Sequence, residues 1–377
     1  MLIPEMNYNL IFYKDIHKND WDAYVKEMPD AGFHHSWSWI NYISKFSNIR
    51  ENLSFVYLDD DKSVLAICPL AVSYNQTGDH FELSFGGNPC ATPLVASVKP
   101  SLRRKILDEI VNRILSFSRE FNVKKISLIW DPLVKNFCSD SSIHRNNFEL
   151  LRYQMQYYVE NIVVVSLDLP EDILFENVSK YQRRHIKKTE KKGVIIKVLN
   201  IENNKADIKE YFSLFQEAHL KSAGKMTRPQ ETWDAMFDCL LAGDASLFIA
   251  FIEDIPISYL FCGEFELMAF GWSQVNDDKY ESDYSPRHLL EWNAMMFYKK
   301  QNFKYYEVGD RYYGSQFFHT PTEKEISISV FKERFGGMML PKIKWTGYLD
   351  QELLAAEYTN GMGEFLAAKP LLKIPQS

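Results

Sequence analysis

Along the 377-residue chain, apolar and polar positions fall into short runs whose period switches repeatedly between helical and alternating. Trp39, Ile40, Ile43 and Phe46 recur at helical spacing and predict a short amphipathic helix over residues 37–46. Residues 53–58 and 64–72 read as strands about Asp59-Asp60-Asp61-Lys62, a hairpin-type turn. Residues 81–85 read as a further strand, ended by Gly86-Gly87-Asn88-Pro89. Ile106, Ile110, Ile114 and Phe117 share one face of a long helix predicted over 102–121. A strand at 126–130 follows, and Asp131-Pro132 breaks it.

The theme then repeats. A strand at 162–169 precedes a basic helix near 180–192 and a strand at 194–199. Helices are expected at 208–218 and 233–241, then strands at 247–251, 257–263 and 267–272, a helix at 286–301 and a strand at 305–308. Alternation of Ile326, Ile328 and Val330 predicts a half-buried strand over 325–330, with Lys332 and Arg334 near its end and glycines 336 and 337 turning the chain. Strands flanked by helices, seen twice, indicate an α/β fold with α+β layering. The length is too great for one core, so two domains are expected, 1–160 and 161–377.

A net charge of −7 does not mark a nucleic-acid binder, so no DNA partner is expected and an anionic ligand must meet a local patch. One patch stands out. Lys180, Arg183, Arg184, Lys187, Lys188, Lys191 and Lys192 face a single acid, Glu190, within thirteen residues. Arg183 and Lys187 share a helical face that suits phosphates, although such a face is also what solvated charges produce. Cys68, Cys90, Cys138, Cys239 and Cys262 are scattered without metal-ligand spacing, which implies free thiols and no metal. No apolar run approaches transmembrane length and the first residues lack a signal-peptide layout, so a cytoplasmic protein is expected. His219, near a predicted helix end, reads as structural more readily than as a base.

Phe331-Lys332-Glu333-Arg334-Phe335-Gly336-Gly337 resembles the FKxxFGG signature of the FemABX family of aminoacyl and acyl transferases, which are built from GNAT-like domains. Phe33-His34-His35-Ser36-Trp37-Ser38-Trp39 resembles that family's opening segment. The basic run from Ser179, the run Tyr284-Ser285-Pro286-Arg287-His288-Leu289-Leu290-Glu291-Trp292, and Tyr305-Tyr306-Glu307-Val308-Gly309-Asp310 follow in the family's order. No long charged helical hairpin interrupts the second half, so the likeness is to the armless form.

The resemblance implies two tandem GNAT-like domains with a cleft between them, and an enzyme that forms an amide on an amino group of a cell-envelope precursor, from peptidoglycan or a surface glycan. It needs no bound cofactor. The acyl donor is a co-substrate, either aminoacyl-tRNA or acetyl-CoA. The usual GNAT pyrophosphate loop is absent, its nearest approach being Arg311-Tyr312-Tyr313-Gly314-Ser315-Gln316. Two other readings stay open: an acetyl-CoA-dependent N-acetyltransferase acting on a nucleotide sugar for polysaccharide biosynthesis, and a non-catalytic GNAT-like binding protein. Under the leading reading Lys332 stabilises the donor carbonyl or a terminal phosphate, and Asp310 positions or deprotonates the amine. Arg183, Lys187, Arg287 and Arg334 hold charged groups, and Trp37 and Trp39 wall the acceptor side.

Overall fold

The computed structural model describes residues 8–75, 77–135, 148–202 and 207–368. The first half runs β1 (Asn9–Phe12), α1 (Lys18–Glu27), α2 (Trp37–Ile43), β2 (Ile49–Asn52), β3 (Phe55–Leu58) and β4 (Val64–Cys68). It continues through β5 (Ala71–Tyr74), β6 (Phe81–Leu83), β7 (Cys90–Ala91), β8 (Leu94–Val95), α3 (Pro100–Glu120) and β9 (Val123–Trp130). Then come β10 (Gln156–Ser166), α4 (Glu171–Asn177), α5 (Lys180–Lys191), β11 (Val194–Leu199), α6 (Ile208–Ala223) and α7 (Gln230–Ala242). The hairpin strands β12 (Ala245–Ile252), β13 (Ile255–Phe265) and β14 (Met268–Asn276) lead to α8 (Asp278–Tyr284), α9 (Pro286–Lys300) and β15 (Tyr305–Arg311). The last described elements are α10 (Glu323–Glu333), β16 (Met338–Tyr348) and α11 (Gln351–Ala367).

Among the described residues these strands form a four-stranded sheet, β1-β3-β4-β8, and a twelve-stranded one. The large sheet runs β11-β12-β13-β14-β15-β10-β16-β9-β6-β5-β2, with β7 also on β9. β16 lies between β10 and β9, so a strand late in sequence joins the two halves through continuous ladders. β13 shows why Tyr259-Leu260-Phe261-Cys262 carries apolar residues without alternation. Tyr259 and Phe261 enter one core with α6 and α7, while Leu260 and Cys262 enter another with α9.

Two sequence expectations change here. The strand expected over 64–72 is two strands in different sheets, because Pro69 cannot donate to a ladder and the chain crosses between layers there. The strand expected over 325–330 is the middle of α10. Thr322 caps that helix by accepting from the Glu325 amide, and the Glu325 carboxylate accepts from the Thr322 amide in return. The alternation of Ile326, Ile328 and Val330 reports no strand. Ile328 is exposed and only Ser329 of the helix is buried, its hydroxyl donating to the Ile326 carbonyl.

Cys68, Cys90, Cys239 and Cys262 are buried free thiols, and burial raises their pKa values. Cys138 lies outside the described residues. Among the described residues no His/Cys/Asp/Glu group could hold a metal, and no helix is long and apolar enough to cross a membrane.

Candidate active site

β14 and β15 run parallel for only three residue pairs, Met268 with Tyr305, Ala269 with Tyr306 and Phe270 with Glu307. Beyond them the strands part, because β15 follows β10 while β14 stays on β13. The opening is a cleft of about 580 Å³. Gly271, Trp272, Ser273 and Gln274 form one wall, Val308 and Lys332 the floor, and Ile328 and Phe331 of α10 the other wall. Tyr181, Arg287, His288 and Arg334 surround the mouth, and Glu291 lies deeper on α9. Every lining residue comes from the second half.

Lys332, in the last turn of α10 rather than at a strand end, reaches down against Gly309 of β15. Gly309 has φ 119°, and a Cβ there would collide with the Lys332 ammonium. The missing side chain is what lets the cation pass the strand. After α10, Gly336 (φ 80°) and Gly337 (φ 106°) turn the chain against the Asn177 and Val164 carbonyls, where any side chain would clash with backbone.

The mouth is cationic and aromatic. Arg287 stacks on Phe331 at 4.8 Å and lies 2.9 Å from a Glu281 oxygen, while Arg334 stacks on Tyr181 at 5.0 Å. His288 is buried, stacks on His185 with ring centroids 4.6 Å apart, and leaves Nδ1 without a partner. Burial first, then His185 and the two arginines, push its pKa down to about 3, so it is a neutral ring near neutral pH.

The other singled-out residues sit elsewhere. Arg183 and Lys187 lie on α5 but do not line the cleft; Lys187 packs its ammonium over Phe175 at 5.2 Å. The helix meets the site through Tyr181, and Gln182 donates to the Phe331 carbonyl at 3.0 Å. Trp37 stacks on Tyr13 at 4.1 Å, away from the cleft. Trp39 stands one layer behind it, 5.3 Å from Trp272, which supplies the wall expected of Trp37 and Trp39. The cleft that holds Lys332 is lined by the second half, while a separate pocket between the halves is lined by Glu82, Lys125 and Ser127 from the first and Phe318, Lys344 and Glu357 from the second.

Asp310 is corrected as a base. Its carboxylate is ion-paired with Lys342 of β16. Burial alone would raise its pKa, but Lys342 and Lys332 hold it down at about 2, so it stays ionised and is a weak proton acceptor. Around it lies a buried charged cluster that sequence reasoning missed. Glu307 and Asp131 are both pushed upward by burial, and Lys342 between them is kept protonated by Asp310 and Glu307 against its own burial. His34 approaches Asp131 at 3.6 Å.

Glu291 was also missed. It is 4% exposed, and its Oε1 accepts from the Tyr306 hydroxyl at 2.7 Å. A signal was present: a carboxylate inside Leu289-Leu290-Glu291-Trp292 interrupts an apolar helix run, where a buried charge needs a reason. His219 sits within α6, with Nε2 3.1 Å from the Ser273 hydroxyl, and burial and Arg228 lower its pKa to about 4.

Residues 177–317 match a family model described as an acetyltransferase (GNAT) domain. A search of the curated proteins gives no match. Among solved structures, FemX superposes with a TM-score of 0.65 at 12% identity, over 92% of this chain and 99% of that one. L-PGS from Bacillus licheniformis gives 0.53 at 10% identity, over 95% and 98%. A tandem GNAT protein from the clavulanic acid biosynthesis pathway gives 0.52 at 9% identity, over 91% and 98%. The chain therefore has the tandem GNAT fold that these structures share, and residues 177–317 within its second half match a GNAT acetyltransferase domain.

Proposed function

We propose that the chain is an N-acyltransferase that moves an acyl or aminoacyl group from a phosphate-bearing donor to an amino group of a cell-envelope precursor. The observation that carries this reading is Lys332. A lysine threaded past a glycine to the floor of a strand-splay cleft stands where a carbonyl oxygen would develop charge, and fixed cations in such sites stabilise that charge. Arg287, Arg334 and the N-terminus of α9 at the mouth suit donor phosphates. The parted edges of β14 and β15 leave backbone groups to hold an extended acyl chain.

Aminoacyl-tRNA is favoured as donor. Pro286 opens α9 and supplies no amide hydrogen, and no glycine-rich turn precedes it, so a compact pyrophosphate cradle is incomplete. The match of residues 177–317 to an acetyltransferase model supports acetyl-CoA as a second reading, with a nucleotide-linked amino sugar as acceptor. Incubation with radiolabelled aminoacyl-tRNA or acetyl-CoA, each with lipid-free peptidoglycan precursors or nucleotide amino sugars, separates them. Amide product from charged tRNA is expected. Product from acetyl-CoA alone would transfer the assignment to the second reading, and no product from either would overturn both.

A further inference from the structure

We propose that Glu291 is the general base of the transfer, accepting the proton that the acceptor amine loses. This rests on the acyl-transfer reading above. In that reaction the amine nitrogen bonds to the donor carbonyl carbon, and the carbon's bond to the donor oxygen or sulfur breaks. The nitrogen must shed one proton, and the departing oxygen or sulfur takes one up. A carboxylate beside the nitrogen can carry that proton from the first to the second, and atoms and charge then balance.

The cleft offers few acceptors. Among its lining residues Lys332, Arg287 and Arg334 are cations, and the His288 ring is pressed among cations. Glu291 supplies the one carboxylate among them. Asp310, the acid expected from the sequence, is spent on Lys342. Glu291 is positioned as a base requires. Tyr306 pins Oε1 at 2.7 Å, and Oε2 takes no hydrogen bond from the described residues. The Tyr306 hydroxyl itself lies beneath Gly271, where a Cβ would stand 3.4 Å from it, so the carboxylate sits at the point where β14 and β15 part. Lys332 approaches the same floor from α10. One cation for the oxyanion and one carboxylate for the proton thus converge from two helices.

The groups facing Glu291 set its titration. They are Tyr306 from β15, Lys332 from α10 and Cys262 from β13, while His288, one turn earlier on α9, carries the stacked His185 of α5. Burial raises the Glu291 pKa to about 7, and the Tyr306 hydrogen bond and Lys332 oppose it. Below that pH the group is protonated and cannot act. Transfer should therefore rise with pH through about 7.

Glu291→Gln keeps an oxygen for Tyr306 and removes the base. Single-turnover rates with the donor and amine that the wild type uses should fall on the order of 10²-fold at neutral pH, with the donor KM unchanged. The rising limb near pH 7 should disappear, and the deficit should shrink at alkaline pH as free amine accumulates. Tyr306→Phe, which frees the carboxylate without removing it, should lose rate less and shift the limb. A Glu291→Gln profile parallel to wild type, or a loss confined to KM, would overturn the inference while leaving the transferase reading intact. A wild type that transfers to no amine overturns both. If Glu291→Gln does not fold, the Tyr306→Phe limb decides: an unshifted limb counts against Glu291.

Discussion

At the residue scale, Gly309 and Lys332 form one device. The glycine is needed because the ammonium occupies the space its side chain would fill. Lys332→Met is expected to lower the transfer rate on the order of 10²–10³-fold with little change in thermal stability. Gly309→Ala should reproduce much of that loss although Lys332 remains, and wild-type kcat in either variant would remove the lysine from the chemistry. Asp310 belongs to stability instead. Its folded pKa, about 2, lies below the ordinary value of 3.8. The stability it contributes is therefore complete above about pH 4 and is lost as pH falls through about 2. Asp310→Asn should destabilise by about 3 kcal/mol or less, because the buried Lys342 loses its direct ion-pair partner but keeps the nearby Glu307 and Asp131, and Asp310 itself is about a third exposed. The penalty should shrink between pH 4 and 2, and pairing it with Lys342→Met should recover most of it. A penalty constant across that range, in urea titrations, would refute the ion-pair account.

At the element scale, α10 shows how a local signal outweighs a pattern. Period-two alternation over six residues suggested a strand, but Thr322-Glu323-Lys324-Glu325 carries a reciprocal cap that fixes a helix start. Thr322→Ala should cost about 1 kcal/mol. Because the same helix holds Lys332 and Phe331, its loosening should also raise the donor KM, whereas Thr322→Ser should restore both. Unchanged KM alongside reduced stability would mean that the helix start is uncoupled from the cleft. The basic helix α5 teaches the opposite lesson. Its charge density was legible in sequence, but which cations face the site depends on how α5 lies against α9 and α10. Tyr181 lines the cleft mouth, and Lys187 covers Phe175. Lys187→Glu should leave binding nearly unchanged, while Arg287→Ala with Arg334→Ala should raise the donor KM and flatten its salt dependence. A Lys187→Glu effect as large as the double variant's would restore α5 as the anion clamp.

At the scale of the molecule, the halves are joined by β16, which lies between β10 and β9 and follows α10 directly. A fragment ending at residue 160 would keep β6 and β7 beside β9 but lack β16 on its other side, and would cut β10 partway along its ladder. It should show no cooperative thermal transition, while the full chain unfolds with both halves coupled. A fragment melting sharply on its own would show that the first half does not depend on β16. The joining strand was not anticipated. Met338–Tyr348 includes Pro341, Gly347 and two lysines, a poor match to a central strand, and it is tolerated because its lysines meet Asp310 and Glu160 across the sheet.

The sequence by itself determined what depends on neighbours a few residues away. The long helix α3 buries the four residues its spacing named, β11 has the predicted limits, and the layered α/β class followed from the order of elements. The resemblance of Phe331–Gly337 pointed to the fold and to Lys332. Tertiary structure alone decided what depends on residues far apart in sequence. It set Lys332 against Gly309, took Asp310 out of contention by pairing it with Lys342, and buried Glu291 under Tyr306. The reason is physical. Periodicity and capping act over three or four residues, whereas burial and counter-charges, which set the state of an ionisable group, are supplied by whichever strands and helices the topology brings together.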